Sequence, residues 1–194
     1  MTSRSRFLLA LAALLLTSTY VLPLWHIGLQ APQYPEGLGL YISIDGVRGQ
    51  SEHDLQSLNG LNHYIGMHKI VPEEIPELRV LPIAIGVLVL LGLAAAAVGR
   101  RWALRTYAAL LLAGAVAGLA DFWWWEYRYG HELDPTAAIK VPGMSYQPPL
   151  LGAKQMLNIT AHSWPAAGGW ILTAAVMLVV ALVVIERRPR TAAA

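Results

Sequence analysis

The sequence contains no cysteine, and few of its residues are charged. Without thiols, no disulfide can stabilise an exported domain, and no thiolate can bind zinc, copper or an iron–sulfur cluster. Charged residues make up 13% of the 194 positions, and hydrophobic residues make up 56%. This composition excludes an ordinary soluble domain. We therefore expect a lipid bilayer around the protein, and no nucleic acid as a partner.

Sequence motifs of common enzyme classes are also absent. The chain has no G-x-S-x-G elbow, no H-E-x-x-H helix, no P-loop and no dinucleotide-binding fingerprint. Acids surround a histidine at His131-Glu132-Leu133-Asp134, but the following Asp134-Pro135 pair is typical of a solvated turn rather than of a catalytic triad. The sequence thus predicts no catalytic residue and a protein that is not an enzyme.

Four apolar segments cover residues 7–24, 80–98, 102–125 and 165–185. Each is long enough, or nearly so, to cross a hydrocarbon core of roughly 30 Å as a helix of about 20 residues. The first follows two arginines as a secretory signal does, but it lacks a small-x-small cleavage site. We therefore interpret it as an uncleaved signal anchor. The alternative, cleavage, would leave three spans and the same side for the histidines. The predicted fold class is membrane all-α, a four-transmembrane-helix bundle with a small α+β extracytoplasmic cap.

Arginine is concentrated at the termini and in the short central connection, at Arg4, Arg6, Arg100, Arg101, Arg105, Arg187, Arg188 and Arg190. Positive charge beside membrane spans stays in the cytoplasm. The asymmetry predicts a multi-pass protein of the bacterial inner (cytoplasmic) membrane with both termini cytoplasmic. Residues 25–79 and 126–164 are then periplasmic, and they contain all six histidines.

The first periplasmic segment has local signals of folding. Apolar residues alternate with small or polar ones over Leu38–Ile44 and lead into Asp45-Gly46, which predicts a β-hairpin. Asp54 is a candidate N-cap for a helix that stops at Gly66. The second segment is rich in proline and glycine and should be irregular, except for a short helical stretch over Leu151–His162.

Small residues in the spans predict close helix packing. Gly114 and Gly118 form a GxxxG unit, and Gly86 and Gly92 of the second span are small enough to receive it. Asp121 lies about one turn below a run of three tryptophans. We expect this carboxylate to anchor the structure near the membrane surface, and the alternative is a proton or ligand role.

Histidine and methionine are concentrated in the periplasmic segments. Imidazole and thioether together suit copper better than zinc or magnesium. On a helix, His63 and Met67 would share one face, and His26 could approach the second segment. The alternative is that the methionines fill the core of the cap and the histidines bind nothing. The predicted metal ligands are His63, Met67, His68, Met156 and His162.

Three segments resemble one known family: APQYPEGL at 31–38, LNGLNHYIGM at 58–67 and VPGMSYQPP at 141–149. It is a family of bacterial four-span inner-membrane proteins associated with gene neighbourhoods for nitrous oxide reductase and its copper supply. The resemblance extends over nearly the whole chain. It implies a role near copper handling, and it assigns no activity to any residue.

These observations lead to one functional hypothesis and two alternatives. The first is an integral membrane accessory factor for copper handling or for assembly of an exported metalloenzyme such as nitrous oxide reductase, with a membrane or periplasmic protein as its partner. The alternative is a non-catalytic structural or anchoring subunit of a respiratory membrane complex. A haem- or quinol-linked subunit is a third possibility, but the predicted spans contain no paired histidines for bis-histidine ligation.

Overall fold

The structure is a computed structural model that describes residues 1–156 and 158–187. Short 3₁₀ helices extend the first helix over Leu16–Tyr20 and occupy Pro72–Glu74. The α-helices in this part of the chain are α1 (Ser3–Leu15), α2 (Asp54–Ile65), α3 (Glu77–Val98), α4 (Arg101–His131) and α5 (Ala167–Arg187).

Five strands of the described chain form a single antiparallel sheet. Its strands lie side by side in the order β3-β2-β1-β5-β4. The central pair joins residues far apart in the chain, because Trp25 lies opposite Pro165 and Gln30 lies opposite Thr160. The strands are β1 (Trp25–Ala31), β2 (Tyr34–Ile42), β3 (Val47–Gly49), β4 (Gly152–Met156) and β5 (Ile159–Pro165).

The predicted fold class, membrane all-α with a small cap, is wrong. Helices account for 58% of the chain and strands for 17%, so the fold is mixed α+β. The helix expected over Leu151–His162 is also wrong, because β4 and β5 lie there. In β5 the buried Ala161 and Ser163 alternate with the half-buried His162, which is the period of a strand. In short apolar segments this period is easily mistaken for that of a helix.

The local predictions in the first segment hold more closely. The predicted hairpin is confirmed, since Ile42 lies opposite Val47 and the amide of Ser43 donates to the carbonyl of Gly46 at 2.8 Å. The helix stop is confirmed at Gly66, whose φ of 81° is left-handed. Asp54 is the first residue of α2 rather than its cap.

The helices α1, α3, α4 and α5 pack around one apolar core. Leu9, Ala12 and Leu16 of the first helix are completely buried in it. The turn between β2 and β3 contributes Ile44 to the same core. The sheet is therefore joined to the helices by packing as well as by the chain.

Three helices, α3, α4 and α5, are long and apolar enough to cross a membrane, within the described residues. Helix α4 has 31 residues. At 1.5 Å per residue it is about 46 Å long, which is more than a hydrocarbon core of roughly 30 Å. One end of α4 must therefore extend beyond the apolar layer if the helix crosses it.

The sheet continues directly from two of the helices. The amides of Ala166 and Gly168 donate to the carbonyls of Leu24 and Pro23, each at 2.9 Å. A Cβ at Gly168 would overlap the carbonyl oxygen of Leu22, and the next residue is a glycine for a similar reason. The start of α5 is therefore fixed against the chain that enters β1.

At the opposite end, the Glu186 carboxylate joins three helices. It accepts hydrogen bonds from the amide of Thr2 at 3.0 Å and the hydroxyl of Ser5 at 2.6 Å, and it lies 3.5 Å from Nε of Arg101. The side chain is 7% exposed. Nearby, Arg6 donates to the carbonyls of Ala96 and Ala97 of α3. This end of the helix layer is closed by polar contacts rather than by apolar packing.

We expect Glu186→Ala to destabilise the protein, because it leaves buried donors of α1 without an acceptor. The loss should be about 1–3 kcal/mol in free energy of unfolding. Thermal unfolding in detergent micelles, followed by circular dichroism, would measure it. The exposed Glu36, changed to alanine, is the matched control. Equal melting temperatures for the two variants would contradict the role of Glu186.

Candidate functional site

Helix α2 covers one face of the sheet, which we call the covered face. Leu58 of the helix packs on Leu38 and Leu40 of β2. The Asp54 carboxylate accepts hydrogen bonds from the backbone amides of Gly39 at 2.9 Å and Ser51 at 3.1 Å. These bonds fix the start of α2 to the sheet. The predicted copper ligands of the first segment lie at the other end of this helix.

The first group of predicted ligands lies at that C-terminal end. His63 is exposed on the helix and lines an open groove of about 620 Å³ together with Glu52 and Lys69. After Gly66 the chain turns away. Nε2 of His68 then lies 3.9 Å from the carboxylate of Glu132, and both side chains are exposed. Met67, which lies between these two histidines in the sequence, is half-buried.

The second group lies on the β4–β5 hairpin and is divided between the two faces of the sheet. Met156 is buried opposite Ile159, on the covered face. His162 lies opposite Gly28, whose neighbour in β2 is Gly39. Because neighbouring strand residues point to opposite faces, this row lies on the side away from α2. The structure therefore does not bring the five predicted ligands together.

In the described part of the chain, no three His, Asp or Glu side chains are arranged so as to hold a metal ion. A copper site built from His63, Met67, His68, Met156 and His162 stays a prediction from the sequence. In this structure those residues are divided among α2, the loop after it, and the two faces of the sheet.

The loop after α4 rests on α2 and is held by backbone contacts. The amide of Asp134 donates to the carbonyl of Gly66 at 2.8 Å, and that of Ile139 donates to Tyr64 at 2.9 Å. The Asp134 carboxylate accepts both the amide and the hydroxyl of Thr136, and these hydrogen bonds lower the pKa of Asp134. The side chain is thus committed to a turn, as expected from Asp134-Pro135.

Near this end of α4, Glu126 is a feature that sequence reasoning missed. It is buried, and neither of its carboxylate oxygens has a hydrogen-bond partner among the described residues. One turn further on, the carbonyl of Gly130 accepts the amide of Tyr146, whose buried hydroxyl also lacks a partner there. Such groups are costly to bury. An acid directly after three tryptophans was the available signal.

The GxxxG unit does not pack as the sequence suggested. Gly92 of α3 lies against Ala13 and Tyr107 instead, close enough that an added Cβ would meet both. An added Cβ at Gly118 would meet no atom within 4 Å, and one at Gly114 would meet only Leu88 at 3.8 Å. These two glycines and Asp121 share one side of α4, which we call the glycine face. In this chain, that face is open.

Above the glycine face, α4 presents stacked aromatic rings. The rings of Trp124 and Tyr127 stack with centroids 5.8 Å apart, and those of Tyr127 and His131 stack at 4.1 Å. Trp123 also contacts Tyr127. All of these side chains are exposed. Aromatic residues of this kind are enriched where a membrane meets water.

Comparison with known protein families and with curated proteins gives no match to this chain.

We expect Gly130→Ala to release the segment that crosses α4 at this point, because the new Cβ would overlap the backbone of Gln147. Overpacking of this kind costs about 1–3 kcal/mol. Hydrogen exchange over residues 141–147 should become faster. Gly118→Ala is the matched control, since it meets no atom and improves helix propensity by up to about 1 kcal/mol. Unchanged exchange in Gly130→Ala would contradict this packing.

Proposed function

We propose that this protein is a non-catalytic membrane subunit that anchors a partner protein, and that the glycine face of α4 receives a transmembrane helix of that partner. One observation supports this most directly: Gly118 has no atom within 4 Å of the position of a Cβ. Small residues let two backbones approach closely in a membrane, where helix association depends on such packing. The helices of this chain leave that surface free.

Charge indicates what the partner helix should carry. Asp121 lies at one end of the glycine face, one turn beyond Gly118. An acid at the end of an otherwise apolar helix face is complementary to a Lys or Arg near the end of the docked helix. Ionisable residues at this depth are normally paired. The exposed aromatic rings above would then border the complex at the membrane surface.

The proposed setting is the bacterial inner membrane, crossed four times with both termini in the cytoplasm. Helix α1 has 13 residues and its 3₁₀ extension has five. At 1.5 and 2.0 Å per residue these measure about 30 Å together, which matches the hydrocarbon core. The arginines at the Glu186 end agree with a cytoplasmic location for that end. The sheet then lies in the periplasm.

Reporter fusions test this topology. Fusions after residues 46 and 143 should be active only with a periplasmic reporter, and fusions after residues 103 and 190 only with a cytoplasmic one. The arginine asymmetry is the physical reason. Periplasmic activity at 103 would contradict the proposed orientation, and with it the location of the sheet.

The docking surface is tested by Gly118→Leu. A Cβ at this position meets no described atom within 4 Å and the residue faces outward, so the fold should survive, but a helix docked on the glycine face would be displaced. Blue native electrophoresis of native membranes should show that the complex formed by the wild type is lost. Val116→Leu, two positions away on an exposed side of α4, should leave the complex intact.

Three results would count against the proposal: a wild type that migrates alone, a complex that survives Gly118→Leu, or a complex lost equally in Val116→Leu. A complex composed only of this chain would replace the partner subunit with a second copy. Photo-crosslinking from position 118 distinguishes that case, because the crosslinked product has twice the mass of the chain.

The copper-handling function predicted from the sequence is not the one that this geometry supports best. It depended on imidazoles and thioethers meeting in one place, and the side chains of His63, Met156 and His162 lie apart. Assembly of an exported metalloenzyme remains compatible with an anchoring role, because an anchor can hold such a partner at the membrane. That the complex is respiratory stays an expectation from the sequence.

A further inference from the structure

The face of the sheet opposite α2, which we call the open face, carries two histidines. His26 lies in a row between Tyr41 of β2 and Trp164 of β5. The next row on the same face is Gly39, Gly28 and His162. Both histidines are half-buried, and Trp164 is exposed. The open face therefore has two imidazoles on neighbouring strands, one row apart.

Gly28 and Gly39 lack side chains and so leave room for the ring of His26. Cε1 of this imidazole lies 3.4 Å from the position of a Cβ at Gly28, and Nε2 lies 3.0 Å from that at Gly39. The ring thus leans along the sheet over the glycine pair, into the row of His162. Any larger residue at Gly39 would also overlap Gln50.

Gln50 determines which nitrogen of His26 is free. Nε2 of the ring donates to Oε1 of Gln50 at 2.9 Å. The lone pair is then on Nδ1, for which the described residues provide no partner. Histidines that bind metals commonly donate their other ring N–H to an oxygen in this way, which fixes the tautomer and the direction of the ring. His26 is therefore oriented as a ligand would be.

His162 lies diagonally across the β1–β5 pair from His26, because His26 is opposite Trp164 and His162 is opposite Gly28. Its strand is the direct neighbour of β1, at roughly 4.8 Å. Residues diagonal across two antiparallel strands have Cα atoms about 7–8 Å apart, which long and aromatic side chains can bridge. From such positions, one ring nitrogen of each histidine can bind the same metal ion at about 2.0 Å. The described residues show no hydrogen bond to the His162 ring.

We propose that His26 and His162 bind one divalent transition-metal ion on the open face, with solvent completing its coordination. Imidazole is a borderline ligand that suits copper, nickel and zinc, and among these divalent ions Cu(II) binds most tightly. Gln50 acts as the positioning residue. The site differs from the predicted cluster at His63, and it does not depend on the anchoring function.

Titration of the purified full chain in detergent with Cu(II), against glycine as a weak competing chelator, tests the site. The wild type should bind one ion, with an electron paramagnetic resonance signal that shows coupling to nitrogen. His26→Ala and His162→Ala should each lower the affinity at least tenfold, and His26→Gln with His162→Gln should abolish stoichiometric binding. Gln50→Ala should weaken binding less, because it removes only the orientation of one ring.

His53→Ala and the double variant His63→Ala with Met67→Leu are the matched controls, and both should bind as the wild type does. The melting temperature of each variant without metal shows that it is folded. Undiminished binding in the folded His26/His162 double variant would overturn the proposal. So would loss of binding in the His63/Met67 variant alone, which would return the site to the end of α2.

Discussion

The antiparallel pairing of β1 with β5 is the constraint on which the rest of this structure depends. It links residues 25–31 with residues 159–165 and so closes the chain into one unit. Strand β1 follows the helical path of α1, and β5 leads into α5 almost without a connection. Two neighbouring helices thus continue as two neighbouring strands. The pairing of β1 with β5 therefore places α1 and α5 side by side.

That pairing also gives the sheet two different faces. One face is packed under α2, and it carries Leu38, Leu40 and Met156. The other carries the two histidines and the glycine pair, and Trp164 on this face is exposed. A one-residue shift in register would exchange the two sets of side chains. The apolar contacts under α2 therefore also fix which side chains are presented outward.

Local sequence signals predicted the local structure. Alternation before Asp45-Gly46 located a hairpin, Gly66 ended a helix, and three apolar segments became long helices, because each depends on residues close in sequence. The central pair of strands could not be found in this way, since its partners are about 130 residues apart. Because this pairing is not visible in the sequence, the residues of β5 were predicted to be helical. For the same reason, the sequence does not show that His162 and His26 lie on one face of the sheet.

The predicted metal ligands depend on tertiary structure for a related reason. His63, Met67 and His68 are close in sequence, but α2 ends between the first and the last, so they do not share one face of a helix. The GxxxG unit was expected to pack against the second span, yet Gly92, its expected receiver, lies against Ala13 and Tyr107 instead. Sequence identifies which groups are available. Only the tertiary arrangement determines which of them meet.

The wide separation of β1 and β5 has a consequence for biosynthesis. A ribosome adds about 5–20 residues per second, so β1 waits roughly 7–25 seconds for its partner. During that interval two further long helices are made, and the edge of the β1–β2 hairpin has unpaired amide and carbonyl groups. Such edges recruit other strands readily. The newly made chain is therefore most exposed to mispairing at this edge before β5 has been synthesised.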